Sequence, residues 1–391
     1  MKGVQLELGS IIVPAKLRRA ANGDFPVLSM TMRNGLVDQA DKFKKRVASA
    51  DTSPYKIVER NQLVVGFPID EGVLAFQKLY DEAIVSPAYD VWNLRDTSLS
   101  ASEYLERFLR SPVALTFYAT KLRGTTARRR TLPDDIFLSL KVPLPPLVEQ
   151  RRIAEVLDRA DALRAKRRAT LDQLDSLTQS IFLTLFGDTQ KERTRWPIVA
   201  LEKIVRENRL GLVRGSQEFG PDFPIPYVRM NAITRNGELE LAGVQRTHAT
   251  KAEIESYRLE PGDFLFNTRN SEDLVGKTAL YRGGGLHLFN NNVMRIRFTV
   301  EADPEFVAAA FKTTFVQHEL NIRKSGTTNV FAVYYKDLRS LPLPLPPIGL
   351  QREFAKRVIA VEKLKTAHRK SLVELDALFA SLQHRAFRGE L

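Results

Sequence analysis

The chain has 391 residues, 43% of them hydrophobic and 27% charged, the balance of a folded protein and enough length for two or three domains, since single cores stop growing at ~250–300 residues. It contains no cysteine, which excludes disulfides, thiolate catalysis and cysteine-ligated zinc and permits a reducing compartment. A formal charge of +13, from 59 Lys and Arg against 46 Asp and Glu, favours a polyanionic partner such as nucleic acid.

The N-terminal MKGVQLELGSIIVPAKL has one early lysine and a broken apolar run, without the continuous apolar core of a signal peptide. Nothing later approaches a membrane-spanning length, so the chain reads as cytoplasmic. The first long segment carries strand signals such as QLVVGF at 62–67, then a helical patch, SASEYLERFLRS at 100–111, with a serine cap and a periodic apolar face. Prolines 143, 145 and 146 follow; because proline lacks the amide donor and restricts its predecessor, a helix can begin only after them. In that helix Ile153, Val156, Ala160, Leu163, Leu174, Leu177 and Ile181 alternate spacings of three and four, the seam of a coiled coil, interrupted at Arg167 and Thr170. A second mixed segment holds IPYVRM at 225–230, HLFNNNVMRIRFTV at 287–300 and an Asp-Pro-capped helix, DPEFVAAAFKTTF at 303–315. Prolines 342, 344, 346 and 347 then precede another helix, with Phe354, Val361, Leu364, Leu375, Leu378 and Leu382 in the same phase and breaks at His368 and Ser371.

This order is an internal repeat. Gln150-Arg151 matches Gln351-Arg352 and Leu174-Asp175 matches Leu375-Asp376, each 201 positions on (150 to 351, 174 to 375), and Phe186 and Phe387 close the two helices. Upstream, FPVLSM at 25–30 faces IPYVRM, Arg-Asn-Gly recurs at 33–35 and 235–237, YKIVERNQLVV at 55–65 faces YRLEPGDFLFN at 257–267, and Gly-Thr-Thr recurs at 124–126 and 326–328. The second half also opens with WPIVALEKIV, which aligns with VQLELGSIIV, but its glycine-bearing LGLVRGSQEFGPDFPIPY has no counterpart in the first half. The fold class expected is therefore α+β, two α+β domains and two long helices. Long helices cannot bury an apolar seam alone, and two copies in one chain supply each other with an antiparallel partner. At 1.5 Å per residue, ~38 residues make a rod of ~57 Å, a spacer between two domains.

The chain resembles the DNA specificity subunits of type I restriction-modification systems over its whole length. The resemblance rests on Gly-Thr-Thr before the proline run, on EQRRIAEVLDRADAL at 149–163, on LTQSIFLTLFGD at 177–188, and on the C-terminal SLQHRAFRGEL. It implies two target recognition domains, 1–146 and 189–346, and two helical spacers, 147–188 and 347–391, paired as an antiparallel coiled coil about a pseudo-twofold axis. Each domain would read one half of a bipartite, asymmetric site on double-stranded DNA. The chain would carry no catalysis and bind no cofactor. Two methyltransferase subunits and two restriction subunits would bring S-adenosylmethionine, ATP and Mg. The rival expectation is a coiled-coil scaffold whose domains no longer read DNA.

A search for catalytic patterns agrees. No lysine has an Asp or Glu two positions before it, as a common metal-dependent nuclease requires, and both Pro-Pro pairs follow Leu, where an amino-methyltransferase loop needs Asn, Asp or Ser. Val275–Thr278 (VGKT) ends like a phosphate-binding loop, but Ser271 stands where its first glycine belongs, so a strand end is the better reading. His318-Glu319 starts a zinc-protease pattern whose second histidine would be at 322, which is Ile. No metal ligands are expected.

Candidate DNA contacts are Arg, Lys, Asn and Thr near glycine-bearing loops, the types that meet phosphates and base edges. In the first half these are Lys42, Lys44, Lys45 and Arg46, then Thr125, Thr126, Arg128, Arg129 and Arg130 of GTTARRR. In the second half they are Asn267, Arg269 and Asn270 of FNTRNSED, and Arg323, Lys324, Thr327, Thr328 and Asn329 of RKSGTTN. For each group the bland alternative is a solvated loop or helix face. The helical Arg151, Arg152, Arg164, Lys166, Arg167 and Arg168 fit helix solvation, a partner subunit or DNA backbone equally well.

Overall fold

The structure is a computed structural model that describes residues 4–21, 23–32, 34–42, 51–122, 132–187, 195–327 and 329–391, with the backbone alone at Lys42. The chain forms two compact units, Met1–Arg168 with Lys370–Leu391, and Ala169–Arg369.

In the first unit, strand β1 (Val4–Glu7) is followed by a helical turn and by β2 (Ile12–Pro14). Strands β3 (Leu63–Val65), β4 (Leu74–Phe76) and β5 (Asp90–Leu94) complete a four-stranded antiparallel sheet in the order β2-β5-β3-β4. Every residue of β3 and β4 is buried, so these strands read as continuous apolar runs rather than alternating ones. Helix α1 (Ser102–Leu109) lays Tyr104, Leu105, Phe108 and Leu109 into the core. Helix α2 (Pro112–Lys121) starts where Pro112 supplies a preset first turn and the Ser111 hydroxyl accepts the Ala114 N–H. Strand β6 (Lys141–Leu144) returns to pair with β1, Val4 opposite Leu144, and helix α3 (Leu147–Phe186) begins directly after the prolines.

The second unit runs through the same plan. β7 (Ile198–Ala200) precedes a helical turn, and β8 (Val205–Leu210) leads into a four-stranded antiparallel sheet with β9 (Phe264–Asn267). The short strand β10 (Arg269–Asn270) follows, then β11 (Thr278–Leu280) and β12 (Val293–Phe298); the sheet order β8-β12-β9-β11 repeats that of the first unit. Helices α4 (Pro304–Ala310) and α5 (Thr314–Asn321), strands β13 (Ser325–Gly326) and β14 (Phe331–Ala332), β15 (Pro342–Pro344) paired with β7, and helix α6 (Ile348–Ala386) complete it. The turn before β3 places Asn61 at φ 67° and the turn before β9 places Gly262 at φ 94°, so the two residue types that tolerate a left-handed backbone stand at matching positions. In the stretch without a counterpart, Gly211 has a direct steric reason: a Cβ there would lie 2.2 Å from the Phe289 carbonyl oxygen.

The repeated glutamines do the same work twice. Gln150 is fully buried; its side-chain carbonyl accepts the Ala101 N–H at 2.9 Å, and its amide donates to the carbonyls of Leu99 and Pro145, both at 2.8 Å. Gln351, also fully buried, accepts the Asp303 N–H at 2.9 Å and donates to Glu301 at 3.1 Å and Pro346 at 2.7 Å. Each ties the first turn of a long helix to the loop that starts α1 or α4, satisfying buried backbone groups that water cannot reach.

The helices pack through four matched positions, Ile153, Ala154, Leu157 and Ala160 in α3 and Phe354, Ala355, Val358 and Val361 in α6, all buried. The expected seam needs correction here, because Leu163 and Leu177 are 56% and 42% exposed and their repeats Leu364 and Leu378 are 53% and 51% exposed. Toward the middle of each helix the contact is ionic instead. In the first unit Arg164 of α3 meets Asp376 of α6 at 2.6 Å, and Arg168 reaches the same carboxylate at 3.0 Å. In the second unit Lys365 of α6 meets Asp175 of α3 at 2.5 Å. Arg164 and Lys365 are repeat equivalents, as are Asp376 and Asp175, and within each unit the two helical stretches run in opposite directions, Arg152 donating to Leu391 while Arg164 pairs with Asp376. Among the described residues, no helix is long and apolar enough to cross a membrane.

Candidate nucleic-acid interface

The two candidate stretches of the second unit, far apart in sequence, meet in one small antiparallel sheet. β10 pairs with β14, Arg269 opposite Ala332 and Asn270 opposite Phe331, and β13 pairs with the other edge of β14, Ser325 opposite Ala332. Lys324 crosses this sheet to donate to the Glu272 carbonyl at 2.7 Å, and partial desolvation holds its ammonium below the usual lysine range.

Within the sheet the candidate residues divide by role. Asn267 is fully buried, its amide donating to the carbonyls of Arg269 (3.1 Å) and Asn292 (3.0 Å) while its oxygen accepts from the Asn270 amide (2.9 Å). The Asn270 oxygen in turn accepts the Ser271 N–H at 2.9 Å. Both asparagines therefore shape the loop, and their amides are already occupied where base-edge pairing would need them. Arg269 is exposed on β10, and no hydrogen bond or ion pair among the described residues engages its guanidinium. Arg323 folds back on its own helix, pairing with Glu319 at 2.9 Å and donating to Ser340 at 3.3 Å. Thr327 and Asn329 are exposed on the turn beyond β13, where the Thr327 N–H donates to the Val330 carbonyl at 3.1 Å. What the geometry offers is one free guanidinium and a polar rim on a loop held rigid by its own amides, suited to meeting an anion or a base edge.

The remaining candidates are placed less fully. Lys44, Lys45, Arg46, Thr125, Thr126, Arg128, Arg129, Arg130 and Thr328 lie outside the described residues, and so does the side chain of Lys42. The VGKT stretch is the end of β11: Lys277 donates to the carbonyls of Met230 and Ile233, burial depresses its ammonium, and Thr278 is buried in the strand. His318 lies exposed on α5 beside Glu319, which holds Arg323.

One residue escaped the sequence reading. Arg235, in the recurring Arg-Asn-Gly, forms an ion pair with Asp273 at 2.6 Å on the same loop as Arg269, and the Asp273 carboxyl is held below its usual range first by the Ser271 hydroxyl and also by Arg235. The recurrence of the triplet was the available signal.

No family model matches the chain. Among curated proteins it is 25% identical, over 319 residues, to the type I restriction enzyme EcoKI specificity subunit of Escherichia coli K12, covering 76% of this chain and 67% of the relative. It is 23% identical to the StySPI specificity subunit of Salmonella potsdam, again over 76% of this chain and 67% of that protein. Among solved structures, the S subunit of a type I restriction-modification system from M. genitalium shares the fold with a TM-score of 0.61 at 14% identity, over 98% of this chain and 96% of that one. The sequence relatives and the shared fold together place the chain in the family of type I restriction enzyme specificity subunits.

Proposed function

We propose that this chain is the DNA-reading subunit of a type I restriction-modification complex, with each recognition domain reading one half of a bipartite, asymmetric site. The observation that carries the reading for this chain's own residues is the small sheet β10-β14-β13, which presents the Arg269 guanidinium beside Thr327 and Asn329 on a braced loop. A guanidinium is the side chain most often paired bidentately with guanine in the major groove. The domains are 1–146 and 189–346, and the helical segments 147–188 and 347–391 pair antiparallel and hold them at a set spacing. The charge of +13 supplies the attraction to the phosphate backbone.

In this reading the chain does no chemistry and binds no cofactor. It positions two methyltransferase subunits using S-adenosylmethionine and two restriction subunits using ATP and Mg, in the cytoplasm. The rival, a coiled-coil scaffold that no longer reads DNA, differs in two measurable ways. A reader's affinity falls steeply with salt and prefers one sequence; a scaffold gives flat, weak binding to every duplex. The decisive experiment is methylome sequencing of cells carrying this gene with and without its methyltransferase partner. A gapped, asymmetric adenine-methylation motif that depends on the gene supports the reading; its absence overturns it.

A further inference from the structure

The Arg-Asn-Gly triplet of the second unit has no part in the reading above beyond the contact of Arg235, yet its turn is among the most heavily braced in that unit. The Thr234 N–H donates to the Glu238 carbonyl at 3.0 Å, and the Glu238 N–H to the Thr234 hydroxyl at 3.0 Å. Lys312, between α4 and α5, lies across it and donates to the Asn236 carbonyl at 2.7 Å. Gly237 makes that crossing possible: its φ is +77°, and a Cβ would come within 2.6 Å of Lys312 Cε and 3.2 Å of the Thr278 carbonyl oxygen.

The two ends of this turn touch different things. At one end Arg235 pairs with Asp273 of the Arg269 loop. At the other, Glu238 pairs with Lys365 at 3.2 Å and with Arg369, both on α6. Lys365 is only 4% exposed, and it is also held by Asp175 of α3 at 2.5 Å and by Glu362 at 2.9 Å. Magnitudes separate the ends. The Arg235–Asp273 pair is 71% and 61% exposed, the kind of contact that contributes ~0–1 kcal/mol, whereas a buried ammonium shared by carboxylates from three elements tolerates little displacement. The first unit differs here, since the arginine of its own α1, Arg107, reaches Asp158 at 2.6 Å and Asp161 at 3.0 Å of α3. There the domain supplies the cation and the helix the acids; in the second unit the domain supplies the acid.

We propose that the turn Thr234–Glu238 is a strut that fixes the reading loop of the second unit to the helix pair, with Glu238 and Arg235 as positioning residues that set how strictly the protein measures the distance between half-sites. This rests on the DNA-reading function proposed above. Glu238→Gln removes the link from domain to helix but leaves Lys365 its Asp175 and Glu362 partners, so the helix pairing persists. The Arg269 loop keeps its shape and gains freedom of tilt.

The test uses the full chain assembled with its methyltransferase partners, and duplexes carrying its recognised site with the native gap or with one base pair added or removed, a change of ~3.4 Å. For Glu238→Gln the native-gap affinity is expected to stay within about twofold while discrimination against the altered gaps falls about tenfold, a separation that a general loss of stability does not produce. Glu238→Asp, which keeps the charge, restores most of the discrimination. Arg235→Ala, at the exposed end and without consequence for folding, gives a smaller loss in the same direction. Unchanged gap discrimination in both Glu238→Gln and Arg235→Ala overturns the strut. A wild-type complex indifferent to gap length overturns the DNA-reading function beneath it instead.

Discussion

The two units share their supports and differ in their loops. Sheet order, the buried glutamines 150 and 351, and the ion pairs Arg164–Asp376 and Lys365–Asp175 correspond position for position. The connection after the buried strand does not. After β3 the chain carries Phe67, 53% exposed and edge-on to Tyr89 at 5.7 Å, and a short 3-10 turn, Ile69–Glu71. After β9 it carries Arg269 and the asparagine-braced loop. Duplication has kept what holds the long helices and changed what the domains present to a ligand, which is the pattern expected when two half-sites of different sequence are read from one scaffold.

Four changes would break or sharpen this correspondence. Phe354→Ala should have the largest effect: Phe354 is fully buried against Phe182 and Phe186, with ring centroids 5.6 and 5.5 Å away, and its loss should destabilise the second unit by about 3–5 kcal/mol. Hydrogen exchange should show the second unit opening while the sheet of the first keeps its protection; equal loss in both would contradict separate cores. Gln150→Ala and Gln351→Ala should each cost about 2 kcal/mol in denaturant unfolding, because each strands a buried N–H and two carbonyls. If one proves neutral, the correspondence of the two supports is only formal. Lys365→Met should cost about 2 kcal/mol, below the usual penalty for a broken buried pair because Asp175 is half open to water, and Arg164→Met about half of that.

The sequence displayed the repeat, the helix starts after the prolines and the α+β character of each half, because proline chemistry and apolar runs are local signals. It misassigned Leu163, Leu177, Leu364 and Leu378 to the helix seam. A three-four spacing does not distinguish an apolar contact from one in which Arg164, Lys365 and their aspartates do the pairing. At the candidate interface, residue type was legible and role was not. Asn267 and Arg269 are two positions apart and equally suited to a base edge, but only the pairing of β10 with β14 determines that the first is turned inward and the second outward. Arg235 and Glu238 were visible only as a recurring triplet and its neighbour, since their partners lie 38 and 127 or more positions away.

The smallest expected effect concerns the stretch that only the second unit possesses. Glu253 caps the helix Lys251–Tyr257 by accepting the Thr250 N–H and pairs with Arg214, and that N–H, followed by the guanidinium, holds its carboxyl below the ordinary value of 4.5. A depressed carboxylate stabilises the fold above its unfolded value, and that contribution is lost as the pH falls through the folded one. Amide exchange in 251–257 should therefore accelerate between pH 5 and pH 3 relative to the β9 core, a range taken as roughly one unit either side of the usual carboxylate value. No acceleration would remove Glu253 from the account.

The central claim, one support plan with two different readers, is tested most directly by selecting bound sequences from a randomised duplex pool with the assembled complex, using the wild-type chain and Arg269→Ala in parallel. The account predicts a two-part gapped motif for the wild type, relaxed in one part alone by Arg269→Ala, with the salt dependence of binding reduced by about one phosphate contact or left unchanged according to whether the guanidinium meets backbone or base. A single contiguous motif, or a substitution that alters both parts equally, would contradict it.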